Sequence, residues 1–190
     1  MIRQERNHTH ELTIKAQLMG AAREVGDLAE AVSTAASRSL ATAIDEVDQT
    51  GEAIGDFIIE LVTGTVEGVA NVGGSIFDAS KGIVIGVMRG TAESSVDALD
   101  IITETSSRVI AKTSEIGGDI GDATKGVIEG AIEGAKELSI DAHSTAVAAA
   151  TGAIEAAAEI GTGALEQVRR AAQGTIQGIQ VIALDAFDDD

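Results

Sequence analysis

VGGSIFDASKG at residues 72–82 and IGGDIGDATKG at residues 116–126 are one phrase written twice, identical at seven of eleven positions and 44 residues apart. The blocks that follow, IVIGVMRGTAE at 83–93 and VIEGAIEGAKE at 127–137, align Gly86 with Gly130, Gly90 with Gly134 and Glu93 with Glu137. Self-similarity at a fixed period marks a repeat architecture. Forty-four is four elevens, and eleven is the finer unit. Cut into elevens from Gln17, the chain gives fifteen blocks to Val181 with no insertion.

Within those blocks, position five is apolar in thirteen of fifteen and Thr in the other two. Position six carries Ile44, Val66, Phe77, Met88, Leu99, Ile110, Ile132, Ile154, Leu165 and Ile176. Position seven is charged in eleven blocks and position eleven in nine. Eleven residues in three turns give about 3.67 per turn, or about 98° per residue. Positions one, five, nine, two and six then span an apolar face about 130° wide, with the charged positions behind it. Positions four and eight flank that face and are rich in glycine. Nothing alternates with period two, so a strand reading fails.

The fold predicted is all-α. A straight helix of 3.6 residues per turn would rotate this stripe by about 20° per eleven residues. A fixed phase therefore implies a partner surface that holds the helix slightly unwound. The expected form is a long continuous hendecad helix, residues 17–187, in a right-handed or nearly straight coiled-coil assembly. It contains super-repeats 72–115 and 116–159, follows a polar leader at 1–16, and ends in an acidic tail at 188–190. The alternative is a helical hairpin bundle with turns near Gly73-Gly74 and Gly117-Gly118, the only Gly-Gly pairs. The expected packing face comprises Ile54, Ile76, Phe77, Val87, Met88, Leu99, Ile110, Ile120, Ile132, Ile154, Leu165 and Ile176.

Glycine shows why such a helix needs company. All 22 lie between Gly20 and Gly178. At about 1 kcal/mol each against Ala in a helix interior, they cost on the order of 20 kcal/mol. Burial of the aliphatic face is the available compensation, at about 25 cal/mol per Å². Glycines four residues apart also let another backbone come close, as small-xxx-small ridges do. The expected close-contact pairs are Gly64 with Gly68, Gly86 with Gly90, Gly130 with Gly134, and Gly174 with Gly178.

Composition narrows the function. The chain has no Pro, Cys, Trp or Tyr and a formal charge of −18. That balance repels phosphate backbones, which argues against nucleic acid as a partner. It also opposes docking on anionic lipid. Scarce Lys with many acids and much Ala, Gly, Thr and Val resembles a salt-adapted proteome, in which self-repulsion is screened. The N-terminal stretch lacks the apolar run of a secretory signal, and no stretch is long enough for a conventional membrane span, so the cytoplasm is the default expectation, with a peripheral membrane location as the variant.

Chemistry finds little purchase. His8 and His10 are two apart in the polar leader and do not share a helical face. His143 takes apolar position six and reads as a core histidine, with a pH-responsive joint as the sharper option. Lys81 and Lys125, at matching points of the super-repeats, read as ion-pair donors flanking the interface. The acids form a spread stripe rather than a pair in a cleft that could separate their pKa values. Only Asp188, Asp189 and Asp190 cluster. No enzyme, metal site or cofactor is expected.

At TKGVIEGAIEGAKE, residues 124–137, the chain resembles the eleven-residue repeats of synucleins and, more loosely, those of late-embryogenesis-abundant proteins, apolipoproteins and polyester-granule phasins. That resemblance implies an amphipathic helix coating lipid or another hydrophobic surface and often folding on contact. The acidic back and scarce lysines depart from those families. The residues point first to a non-enzymatic structural protein that self-assembles into a rod, bundle or filament. A coat on lipid, a storage granule or another hydrophobic surface is the alternative, and a multi-chain membrane assembly a third reading.

Overall fold

A computed structural model of the chain describes residues 28–46, 51–92, 97–176 and 179–181. Among these, seven helices form: α1 (Leu28–Glu46), α2 (Gly51–Asn71), α3 (Ile76–Thr91), α4 (Ala98–Glu115), α5 (Ile120–Leu138), α6 (Ala142–Ile160) and α7 (Thr162–Ala172). A short antiparallel hairpin follows, with β1 (Gly174–Ile176) paired to β2 (Ile179–Val181). The chain is all-α in its main body, as the periodicity requires. No described helix is long and apolar enough to cross a membrane.

The single uninterrupted helix does not form. The chain turns at both Gly-Gly pairs, because each ends a helix with its first glycine in the left-handed region. Gly73 has φ 69° and Gly117 φ 72°. At the first turn Gly74 N donates to Val69 O (2.9 Å) and Gly73 N to Ala70 O (3.1 Å). At the second, Gly118 N donates to Thr113 O (2.8 Å) and Gly117 N to Ser114 O (3.0 Å). These paired bonds satisfy the last helical carbonyls, and glycine carries the left-handed position without a Cβ penalty. Ser139 does the same work at φ 58°, with Ile140 N bonded to Ala135 O.

The following helices start on capping side chains. Ser75 accepts from Asp78 N, Asp97 from Leu99 N, Asp119 from Asp122 N and Asp141 from Ser144 N. Each satisfies a backbone donor that the first turn leaves free. The eleven-residue phase survives the turns because a complete helix–turn–helix unit occupies 44 residues. The repeat length keeps the phase, where an unbroken helix had been expected to keep it.

The helices pack in two rows. α1, α3, α5 and α7 touch in succession, as do α2, α4 and α6, and consecutive helices touch across the rows. The core between them is aliphatic: Leu40, Ile58, Leu61, Ile83, Ile102, Ile110, Ile128 and Ile132 are fully buried. With no Trp or Tyr in the chain, alanine does much of the filling in α6, where Ala146, Ala149, Ala153 and Ala157 have no exposure. Small side chains let helices lie close, which recovers by dispersion contact what bulk does not supply.

Candidate packing interface

The seam between α1 and α3 is made by Gly82, Gly86 and Gly90, one helical turn apart. A Cβ added at Gly82 would run into Ala29 O and lie 2.7 Å from Val32 Cβ. At Gly86 it would lie 2.5 Å from Ala36 Cβ and 2.7 Å from Ser33 O, and at Gly90 3.0 Å from Leu40 Cβ. One unit later the pattern recurs between α3 and α5. Gly126 meets Phe77 O and Ser80 Cβ (2.8 Å), Gly130 meets Lys81 O (2.6 Å) and Val84 Cβ (3.1 Å), and Gly134 meets Met88 Sδ (2.7 Å). The donor glycines of the two seams are 44 residues apart. In the second row, Gly152 of α6 sits against Thr103 O of α4.

At Gly82, Gly86, Gly126, Gly130 and Gly152 a carbonyl oxygen lies where a Cβ would go, so these positions leave no room for a side chain on the donor helix. Backbone meets backbone carbonyl, so the helices approach more closely than a Leu-to-Leu seam permits. The helix-propensity cost of these glycines is offset by that approach. The 20 kcal/mol penalty expected from sequence is also smaller in practice, because Gly73, Gly74, Gly117, Gly118 and Gly161 lie outside helix interiors.

Charged pairs flank the seams. Arg89 of α3 reaches Glu137 of α5 (Nε to Oε2, 2.8 Å), Ser33 of α1 (2.9 Å) and Glu30 of α1 (3.4 Å). Hydrogen bonding to Glu137 raises its pKa, against the opposing effect of burial and with help from Glu30. Lys81 pairs with Glu133 at 2.8 Å, again α3 to α5. In the second row, Lys112 of α4 meets Glu67 of α2 at 2.7 Å. Burial would lower the Lys112 pKa, but its hydrogen bonds to Glu67 and Glu115 outweigh that and raise it. Lys125 bonds within its own helix, to Asp122 at 3.3 Å. These partly exposed pairs fix alignment more than they add stability, since such pairs are worth about 0–1 kcal/mol.

The expected packing residues divide as follows. Ile54, Val87, Met88, Ile110, Ile120, Ile132 and Ile154 are buried, and Ile76, Phe77 and Leu165 are half-buried. Leu99 is 40% exposed, in the first turn of α4 where few neighbours reach it. Ile176 and Gly174 lie in β1, so the helix expected to run to residue 187 ends at Ala172. Of the glycines, Gly86, Gly90, Gly130 and Gly134 form the seams, and Gly64 and Gly68 are buried in α2. Gly178, the leader at 1–16 with His8 and His10, and the tail at 188–190 fall outside the described residues. His143 is exposed at the start of α6, so it is not the core histidine its position suggested. Among the described residues, no group of three or more His, Asp or Glu is placed to hold a metal ion.

The chain matches no model of a known protein family, and no curated protein matches it.

Three features escaped the sequence reading: the seam glycines Gly82 and Gly126, the capping residues, and Arg89. The signal for two of them was present. Position four of the elevens reads Gly64, Ser75, Gly86, Asp97, then Asp119, Gly130, Asp141, Gly152. Over this stretch a glycine and a cap alternate every eleven residues, with Arg108 standing in the one glycine slot between Asp97 and Asp119. Caps 22 residues apart announce helices of about twenty residues. Gly82 and Gly126 showed only as gaps in the charged stripe.

Proposed function

We propose that this chain is a non-enzymatic structural protein that associates with further copies of itself through its repeated helix-packing faces. One observation carries the reading: the α1–α3 and α3–α5 seams are the same contact made twice, with α3 giving its glycines to one and its Ser80–Val84–Met88 ridge to the other. A surface built to receive its own kind recurs along the chain, and the stacking logic of repeat proteins is nearest-neighbour contact of this sort.

The residues a lipid coat would present, such as Val32, Val84 and Ile132, are buried between helices. Coating would require the stack to open at a cost in buried apolar area. The test is mass and helicity across a concentration series, by light scattering and circular dichroism, with and without vesicles of a neutral phosphatidylcholine, at low and molar salt. Helical oligomers that grow with concentration without lipid support the reading. A chain that stays monomeric at every concentration refutes it, and one that gains helix only with vesicles replaces it with the coat.

A further inference from the structure

Because copies of the chain are identical, an α5 from another copy would meet on α3 the same Ser80–Val84–Met88 ridge as its own. The link before α5 is short, residues 116–119, and its tightness depends on Gly117 at positive φ and on two hydrogen bonds to the end of α4. The eleven-residue phase runs through that link, so a helix straightened from α4 into α5 would keep its apolar stripe aligned. Beyond the link, α5, α6 and α7 all touch one another and form a coherent block. That block meets the rest of the chain chiefly through α3 against α5 and α4 against α6.

We infer that copies of this chain associate by exchanging this block: the 116–119 turn opens, and α5–α7 of each copy pack on α3 and α4 of the other. The inference rests on the self-association reading and names its interface. Reciprocal exchange closes a two-fold dimer and requires no surface that the folded chain does not already use.

The absence of cysteine makes the experiment clean. Lys81 and Glu133 touch across the α3–α5 seam at 2.8 Å. Lys81→Cys and Glu133→Cys are made in separate chains, mixed, unfolded, refolded together at high concentration and treated with a short bis-maleimide. Heterodimers linked through the two cysteines are expected. Exchange is overturned if the mixture gives none while the double variant Lys81→Cys/Glu133→Cys links within one chain. Oligomers detected by light scattering in that case leave self-association standing; monomers throughout remove both readings. Gly117→Ala supplies a second arm, because a non-glycine residue resists the left-handed turn. It should raise the dimer-to-monomer ratio about tenfold per opened turn. An unchanged or smaller ratio contradicts the exchange.

Discussion

Replacing glycine by alanine should have opposite effects at two kinds of site in this chain. Gly55 lies inside α2 with nothing within 4 Å of an added Cβ. Gly55→Ala therefore gains helix propensity and should stabilise by about 0.5–1 kcal/mol. For a chain of this size that is a rise in melting temperature of about 1–4 °C. At Gly130 the same methyl lies 2.6 Å from Lys81 O and 3.1 Å from Val84 Cβ. Neither neighbour can swing aside, so α5 must lift from α3. Overpacking of this kind costs about 1–3 kcal/mol, against which the propensity gain is the smaller term. Gly130→Ala should therefore destabilise by about 1–2 kcal/mol, the net of those two effects. Gly134→Ala is an internal control, because its nearest obstacle is Met88 Sδ, the adaptable part of a flexible side chain. It should fall near zero. Urea denaturation followed by circular dichroism measures all three. If Gly130→Ala stabilises as much as Gly55→Ala, the seam is not tight and the packing argument fails.

Asp119→Ala removes the cap of α5 and should cost about 1 kcal/mol in the same assay, with Asp119→Ser recovering most of it. Thr105 is buried with no hydrogen-bond partner for its hydroxyl, so Thr105→Val should stabilise by about 1 kcal/mol. Loss of stability on that change would mean that the hydroxyl is satisfied. Hydrogen bonds from Ser144 hold the Asp141 carboxyl below its ordinary pKa. Its contribution is thus present above the usual carboxylate range and disappears as pH falls through the lowered value, below about 4. Asp141→Asn should flatten that part of the stability–pH curve. With a formal charge of −18, screening of self-repulsion should outweigh weakening of the few ion pairs. The melting temperature should rise from low to molar potassium chloride, and a fall would overturn that balance.

Fold class was legible because period 3.67 admits only a helix, and the buried face from Ile54 to Ile154 follows from the same wheel. The long rod was misread because a preserved phase has two causes. An unbroken helix keeps it, and so does a duplicated unit whose length is a multiple of eleven. Ser75, Asp97, Asp119 and Asp141 distinguish the two, since a continuous helix has no need of caps every 22 residues. Arg89 could not be read at all. It occupies position seven, with the solvated charges, and its partners Glu30 and Glu137 come from helices 59 and 48 residues away in the chain. Leu99 failed for a local reason: the wheel gives direction, but a first-turn residue can point the right way and have little beside it.

The distance between residues 81 and 133 tests most directly whether the stripe folds back on itself. Spin labels on Lys81→Cys/Glu133→Cys, diluted in unlabelled protein at low concentration, report it by pulsed electron resonance. The two side chains meet at 2.8 Å, so with label arms included the expected distribution is single, narrow and centred within about 20 Å. An unbroken helix would hold these positions 52 residues apart along its axis, about 78 Å at 1.5 Å per residue. A dominant distance in that longer range would contradict the stacked fold and restore the rod.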